Sequence, residues 1–225
     1  MLVHVVGSVV TTQRIATASI VAFASSGPDD GWIAGANREL FRWDGSNFVR
    51  FAVPVPSSVT LDGLTFAIRS LSGVWSLGPN DLFVSSSEFE PEPLLLQLVG
   101  NRWVPSRWAS GRARVVALAR QDGDLIVLAG GSVWRRRVGM NEHEQAASGS
   151  ISGMVQLRDG RILLSESWWI SVLRRADAAM TGAEGISGST LTSTGYTSYR
   201  LQHASASGSA WLLTDNSGHV VRVNF

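Results

Sequence analysis

Side chains that bind metals or transfer protons are few in this sequence, and they are scattered. The four histidines are His4, His143, His203 and His219. Only His143 stands among carboxylates, in the segment Asn141-Glu142-His143-Glu144. A zinc site needs at least three protein ligands, and neighbouring residues of an extended chain point to opposite sides. This segment therefore predicts an exposed loop, and we expect neither a metal ion nor another cofactor.

Carboxylates that could hydrolyse a glycosidic bond are concentrated in one segment. Glu88, Glu90 and Glu92 alternate with Pro91 and Pro93, which predicts a stiff, exposed loop. Glycosidases hold two acids about 5–10 Å apart across the scissile bond, whereas the predicted innermost strands of this chain contain no acid. No serine lies in the Gly-x-Ser-x-Gly sequence of a hydrolase nucleophile. We therefore predict a protein that is not an enzyme, with a glycosidase-like hydrolase as an alternative.

A column of polar residues at repeated positions is the first candidate for binding. Each member follows two apolar residues of a short strand: Arg42, Gln97, Arg135, Arg174 and Arg222. Guanidinium groups arranged in this way would bind anions or the acidic surface of a partner. In the alternative, structural interpretation, each side chain bonds carbonyl groups or turn aspartates, and the repetition favours it. Arg137 adds a further cation beside Arg135.

Tryptophans form the second candidate set, because nine of them occur in 225 residues. Those at equivalent places in successive segments predict core packing: Trp32, Trp75, Trp134 and Trp211. The others are Trp43, Trp103, Trp108, Trp168 and Trp169. Core packing is the favoured interpretation for each, and they would stack on sugars or anchor a protein if they are exposed. The predicted binding residues are therefore Arg42, Trp43, Trp103, Trp108, Arg135, Arg137, Trp168, Trp169 and Arg174.

The strands that must position these residues recur along the chain. Turns rich in Gly, Pro, Asp and Asn precede apolar strands, most clearly at 27–30 and 78–81, and these residues supply the backbone angles of tight turns. Members of the polar column are 55, 38, 39 and 48 residues apart, a mean of 45, and five such units account for 225 residues. Propeller repeats run ~40–50 residues with four strands each.

This repeat predicts an all-β, five-bladed β-propeller in a single domain of residues 1–225. The predicted blades are 19–67, 68–113, 114–151, 152–190 and 191–225. The strands of the first two are predicted at 19–24, 31–36, 39–43 and 48–53, then at 69–75, 81–85, 94–98 and 102–104. The last unit supplies only three strands. We expect a single N-terminal strand at 2–10 to pair with it and close the ring, so that no edge is left open.

Two units resemble a repeat of known proteins. Residues 26–48 contain Ser-Gly-Pro-Asp-Asp-Gly-Trp-Ile-Ala-Gly and then Leu-Phe-Arg-Trp-Asp-Gly, and residues 73–84 read Gly-Val-Trp-Ser-Leu-Gly-Pro-Asn-Asp-Leu-Phe-Val. This pattern is similar to the Trp and Asp-Gly type repeats of bacterial β-propeller proteins, which are loosely similar to photosystem-assembly and sialidase-like propellers. The resemblance covers about residues 19–105. It implies the fold and transfers no catalytic residue to this chain.

Composition narrows the remaining classes of protein. Hydrophobic residues make up 44% of the chain and charged residues 16%, which suits strands that are covered on both faces. There is no cysteine, and every basic residue is arginine, so disulfides, thiolate metal sites and a phosphate-binding lysine are excluded. The net charge of +1 provides no general attraction to nucleic acid or membranes. No apolar run is long enough to span a membrane, and without a signal-peptide pattern the expected compartment is the cytoplasm.

The predicted function is a non-catalytic binding or scaffold propeller that mediates protein–protein interaction, within a larger bacterial assembly. A lectin-type propeller that binds a glycan is an alternative. A lectin would repeat the same polar and aromatic residues in every loop, and the loops of this chain differ between units. The sequence does not determine an oligomeric state.

Overall fold

The computed structural model describes residues 2–6, 9–15, 19–27, 30–78, 80–87, 94–106, 114–140, 143–156, 162–166, 170–173, 199–204, 210–215 and 220–224. All regular structure in these ranges is β, in 22 strands. The chain divides into two compact units, Met1–Ala113 and Arg114–Phe225. Among the described residues, no helix is long and apolar enough to cross a membrane.

Unit 1 contains two four-stranded antiparallel sheets and two separate hairpins. In chain order its strands are β1 (Leu2–Val6), β2 (Val9–Gln13), β3 (Ile20–Gly27), β4 (Asp30–Gly35), β5 (Leu40–Trp43), β6 (Phe48–Arg50), β7 (Ser58–Leu61), β8 (Leu64–Ala67), β9 (Leu71–Ser76), β10 (Leu82–Ser86), β11 (Leu95–Val99) and β12 (Arg102–Ser106). Strands β3 to β6 form sheet 1 and strands β9 to β12 form sheet 2, each in sequence order. The hairpins are β1–β2 and β7–β8.

Unit 2 contains three antiparallel sheets, also in sequence order. Its strands are β13 (Val115–Gln121), β14 (Asp124–Ala129), β15 (Ser132–Arg136), β16 (Glu144–Ser148), β17 (Ile151–Gln156), β18 (Ile162–Glu166), β19 (Ile170–Leu173), β20 (Tyr199–Ala204), β21 (Ala210–Asp215) and β22 (Val220–Asn224). Sheet 3 has four strands (β13 to β16). In the described ranges, sheet 4 (β17 to β19) and sheet 5 (β20 to β22) have three each.

The second strands of sheets 1, 2 and 3 lie at the centre of the packing. Every residue of β4, β10 and β14 is buried. In unit 1, Trp32 and Leu40 of sheet 1 pack against Val74, Val84 and Leu96 of sheet 2. In unit 2, the core includes Ile126, Leu128, Met154, Ile162 and Leu164. Burial on both faces explains why these strands lack the alternation of apolar and polar residues that a half-solvated sheet shows.

All eight strands of sheets 1 and 2 agree with the prediction to within three residues at each end, but the two separate hairpins do not. The single strand predicted at 2–10 is wrong, because Leu2 pairs with Gln13 and Val6 with Val9, and Gly7-Ser8 is a sequence that two-residue hairpin turns favour. The hairpin β7–β8 was not predicted. Asp62 and Gly63 at its turn have φ of 53° and 77°, as a two-residue hairpin turn requires. Closure by pairing with the last sheet stays a prediction.

The first strand of each of the five sheets contains a β-bulge against the second strand. The extra residues are Val21, Ser72, Val116, Ser152 and Gln202. In sheets 1 to 4 the bulge falls at the second residue of the strand. Where that residue is serine, its hydroxyl donates to a carbonyl of the neighbouring strand, Ser72 to Ser86 at 2.8 Å and Ser152 to Ser165 at 3.2 Å. Four sheets therefore repeat one backbone feature, although their sequences diverge.

Candidate binding surface

Three sheets have an aspartate at the same place, where the second strand starts: Asp30, Asp81 and Asp124. Two residues beyond each aspartate, the strand pairs with a member of the polar column: Arg42, Gln97 and Arg135. Residues in this diagonal relation lie on one face of the sheet, about 7–8 Å apart at the backbone, within reach of long side chains. The column is therefore placed to contact these aspartates.

In sheets 2 and 3 the column residue bonds its aspartate. Gln97 Nε2 donates to Asp81 Oδ1 at 2.9 Å, and Arg135 Nε donates to Asp124 Oδ2 at 2.6 Å. The Asp124 carboxylate also accepts the N–H of Val138 at 2.9 Å. Burial raises the pKa of Asp124, but these hydrogen bonds and the charges of Arg135 and Arg137 outweigh it and hold the pKa below its ordinary value. Gln97 and Arg135 therefore bond turn aspartates, as the structural interpretation of the polar column predicts.

The connection from β15 to β16 is fixed by further ion pairs. Arg137 contacts Glu144 at 3.0 Å and Arg135 contacts it at 3.6 Å. The side chain of Arg135 is only 11% exposed, whereas that of Arg137 is 57% exposed. His143, beside Glu144, is half-buried, and burial together with the charge of Arg136 lowers its pKa to about 4. A role in binding a partner stays a prediction for Arg135 and Arg137.

In sheet 1 the aspartate is bound by neutral donors. Asp30 accepts hydrogen bonds from Ser26 Oγ at 2.6 Å, from Trp32 Nε1 at 2.8 Å, and from the hydroxyl of Ser76. Because Ser76 ends β9, this carboxylate joins sheet 1 to sheet 2. Burial raises the pKa of Asp30, but the hydrogen bonds from Ser26, Ser76 and Trp32 together hold it below its ordinary value.

Arg42 consequently takes a different position from Arg135. Its guanidinium carbon lies 5.4 Å from the centroid of the Trp32 ring, in a cation–π contact, and the residue is exposed. The Trp32 ring is fixed by its bond to Asp30 and by an edge-to-face contact with Phe51 at 4.9 Å between centroids. Val49, which pairs with Arg42 across β5 and β6, is 46% exposed. Arg42 and Val49 thus form a mixed cationic and apolar surface.

The opposite face of sheet 1 carries an aromatic cluster. The ring of Phe48 contacts Trp43 at 5.2 Å and Phe23 at 6.3 Å between centroids. A Cβ atom at Gly31 would lie 3.1 Å from Cβ of Trp43 and 3.2 Å from the Phe48 ring, so glycine is needed there for this packing. Trp43 is half-buried, and Phe23 is 60% exposed. We did not predict Phe23, although the alternation Val-Ala-Phe-Ala along β3 was its signal.

A glutamine attaches the N-terminal segment to the outermost strand of sheet 1. Gln13 Nε2 donates to the carbonyl of Phe48 at 2.9 Å, and the N–H of Phe48 donates to Gln13 Oε1 at 2.9 Å. Nearby, Ile15 is buried with Ile33 and Phe41. Unit 2 repeats this arrangement, because Gln156 makes the same two bonds with the backbone of Arg120, between β17 and β13. In both places the side-chain amide makes the pair of hydrogen bonds that a backbone peptide group would make. No sequence pattern predicted this arrangement.

The other predicted site residues divide into two groups. Trp103 is partly buried against the core of unit 1, and its indole nitrogen has no acceptor among the described residues. Trp108, Trp168, Trp169 and Arg174 lie outside the described residues, as do the glutamates of the 88–93 segment. In the ranges that the structure describes, no group of three or more His, Asp or Glu side chains is placed to hold a metal ion.

Similarity to known proteins is found in structure and not in sequence. No protein family matches this chain, and no curated protein matches it. The chain is similar to the extracellular domain of BT4673 from B. thetaiotaomicron, with a TM-score of 0.60 and 12% identity over 95% of this chain, which spans 28% of that protein. It is also similar to the β-propeller domain of Cps50 (Swd1) from Myceliophteria thermophila, with a TM-score of 0.52 and 15% identity over 94% of this chain and 74% of that one.

A third similar structure contains a bound peptide. It is YCF48 bound to D1 peptide, with a TM-score of 0.54 and 17% identity over 92% of this chain and 79% of that one. At these identities the comparisons establish the fold alone. The chain is all-β, and the structures that it matches are propellers. The comparisons therefore support the predicted fold class, and the fold of this protein is that of a β-propeller.

Proposed function

We propose that this chain is a non-catalytic β-propeller module that binds a protein partner through sheet 1. The observation that carries the proposal is the exposure of three large apolar side chains on one strand. In β3, Ile20 is 41% exposed, Val21 37% and Phe23 60%. Clusters of exposed apolar side chains on a folded domain mark sites of interaction.

The geometry around Phe23 suits an anchor for a partner. The ring extends the cluster of Phe48 and Trp43, so its edge-to-face contact restricts its motion. Aromatic residues held on a rigid framework contribute much of the binding energy at protein interfaces, since little conformational entropy is lost when they are covered. The similar structure of YCF48 with a peptide supports a polypeptide as the ligand class.

As the alternative to a partner on this face of sheet 1, we propose that sheets 1 to 5 are the five blades of one propeller, closed through the N-terminal hairpin. The repeated bulge and the repeated order of strands support five equivalent units. Removing residues 1–10 tests closure sharply, because this deletion leaves Gln13 and Ile15 in place. We expect the Tm to fall by more than about 5 °C. An unchanged Tm would show that the first strands do not close the fold.

The binding proposal is tested by capture of partners from the native host. Wild-type protein and the variants Phe23→Ser and Val104→Ser are immobilised, and the retained proteins are identified by mass spectrometry. Val104 is a matched control, because it is an apolar residue of sheet 2 that is 46% exposed. We expect Phe23→Ser to reduce the retained partner at least about tenfold, and Val104→Ser to leave it unchanged.

Two outcomes would contradict the proposal. In the first, no protein is retained specifically, or both variants retain it as well as the wild type does. In the second, the Tm of Phe23→Ser falls as far as that of a core variant such as Ile33→Ser, Ile33 being fully buried. This second result would show that the Phe23 ring packs within the fold, so that its face is not a contact surface.

A further inference from the structure

Arg42 differs from the equivalent residues of sheets 2 and 3 because it does not bond the aspartate of its own sheet. Gln97 and Arg135 bond the aspartates of their own sheets, whereas Asp30 is bound by Ser26, Trp32 and Ser76. The only described contact of the Arg42 guanidinium is with the face of the Trp32 ring. A face contact of this kind leaves the N–H groups at the rim of the guanidinium plane available for hydrogen bonds.

The acids nearest to Arg42 in sheet 1 are engaged elsewhere. Glu39 pairs with Arg50 at 3.1 Å. Asp44 accepts the backbone N–H groups of Ser46 and Asn47 at 2.8 and 2.7 Å, and these bonds hold its pKa below the ordinary value. Among the described residues of sheet 1, no carboxylate therefore neutralises Arg42. The surface there is a cation held on a buried indole, next to the exposed side chain of Val49.

We propose that Arg42 and Val49 form a docking site for an acidic segment of a protein partner, with the carboxylate on Arg42 and an apolar neighbour on Val49. This inference rests on the proposed function and adds a second contact with the same partner, on the face of sheet 1 opposite Phe23. A carboxylate of the partner is the expected ligand, because it complements the charge of the guanidinium and binds it through two parallel hydrogen bonds. The Trp32 ring orients the guanidinium before binding, so less side-chain entropy is lost when the pair forms.

The test measures binding of a defined peptide by fluorescence anisotropy at low salt. The probe is a fluorescein-labelled hexapeptide of alternating leucine and glutamate. Arg42→Met removes the charge and keeps an apolar stem over Trp32, and we expect it to weaken binding about tenfold. Arg42→Lys keeps the charge without the planar fork, and we expect an intermediate loss of about threefold. Circular dichroism and an unfolding midpoint within about 3 °C of wild type confirm that the variants fold.

Sheet 2 offers a matched control. Arg102 is exposed and pairs across strands with Val99, which is 55% exposed, so it repeats the Arg–Val pair without a described aromatic contact beneath it. We expect Arg102→Met to bind the peptide as the wild type does. Two further probes, a leucine–lysine hexapeptide and a labelled thymidine dodecamer, report whether the site selects acidic protein over cationic protein or nucleic acid.

The inference is overturned by any of four results. The wild type does not bind the leucine–glutamate peptide, Arg42→Met binds it unchanged, Arg102→Met loses as much affinity as Arg42→Met, or either of the other probes binds equally well. The proposed function is judged separately. If the captured partner is lost with Phe23→Ser and retained with Arg42→Met, this inference is wrong while the proposed function stands.

Discussion

Asp30 of sheet 1 and Asp124 of sheet 3 occupy the same place in their sheets, yet different donors bind them. Two serine hydroxyls and an indole N–H reach Asp30, and one of these donors comes from the next sheet. Arg135 and a backbone N–H reach Asp124, all within sheet 3. The same backbone position therefore joins two sheets in unit 1 and fixes the β15–β16 connection in unit 2.

The difference shows that a repeated position does not imply a repeated role. Where the aspartate bonds the column residue, as in sheet 3, the arginine side chain is only 11% exposed and forms an ion pair within its own sheet. Where neutral donors satisfy the aspartate, as in sheet 1, the arginine is left at the surface. A column of similar residues in the sequence thus divides into residues that bond an aspartate of their own sheet and one that lies exposed at the surface.

The largest expected effect comes from Arg135→Met. This variant leaves the Asp124 carboxylate, which is 10% exposed, with a single described hydrogen bond and only the more distant charge of Arg137. Removing the charged donor of a partly buried carboxylate costs about 3 kcal/mol. The matched variant Arg42→Met removes only a surface cation–π contact, worth about 0.5–1 kcal/mol. Urea denaturation measures both, and equal losses would contradict the assignment of different roles.

A smaller loss is expected for Asp30→Ala, about 2 kcal/mol, because three donors lose one acceptor and the buried indole N–H is left without a partner. Asp30→Asn retains an acceptor oxygen and should recover part of this loss. The measurement is the free energy of unfolding from urea titrations of both variants. If alanine and asparagine destabilise equally, the hydrogen bonds to Asp30 are not what stabilises sheet 1.

Gln13→Leu is expected to cost about 1 kcal/mol, since it removes two hydrogen bonds to the backbone of an outermost strand. Gln145→Leu is the control, because the Gln145 side chain is exposed and makes one long bond of 3.4 Å with Ser132. Thermal unfolding compares the two. A control that loses as much stability as Gln13→Leu would show that the bonds to Phe48 contribute nothing specific.

The smallest expected effect concerns the dependence of stability on pH. Both aspartates have pKa values below the ordinary value in the folded state. Their contribution is therefore complete above about pH 4 and is lost as the pH falls through the lower, folded pKa. Asp30→Asn should flatten the acid limb of a plot of unfolding free energy against pH. An unchanged slope below pH 4 would show that Asp30 is not one of the groups that titrate on unfolding.

Much of the fold could be predicted, because turns and apolar strands are local signals. Gly, Pro and Asp residues located the strands of sheets 1 and 2 to within three residues. The N-terminal hairpin is the exception, because the strand predicted at 2–10 includes Gly7-Ser8. The repeated bulge had no sequence signal, because valine, serine and glutamine all occupy it and only the pairing register reveals the extra residue.

The surface was less predictable, because burial depends on neighbours that are distant in sequence. Arg42 and Arg135 occupy equivalent positions in the sequence. Their environments differ because other residues bind Asp30, and one of them, Ser76, is distant in the sequence. Trp103 was predicted as a binding residue, but it is partly buried against the core of unit 1. Phe23 was not predicted, because the alternation Val-Ala-Phe-Ala along β3 indicates an apolar face and does not show whether a neighbouring element covers it.

The two glutamines that bond backbone groups, Gln13 and Gln156, make the fold sensitive to ageing as well as to mutation. A peptide group keeps its N–H for the life of the chain, whereas a side-chain amide can hydrolyse to a carboxylate, and glutamine is among the thermolabile residues. After hydrolysis at Gln13, one carboxylate oxygen would still accept the N–H of Phe48, but the other would replace the amide donor and face the carbonyl of Phe48. Prolonged heating would thus weaken an attachment that a fresh preparation holds intact.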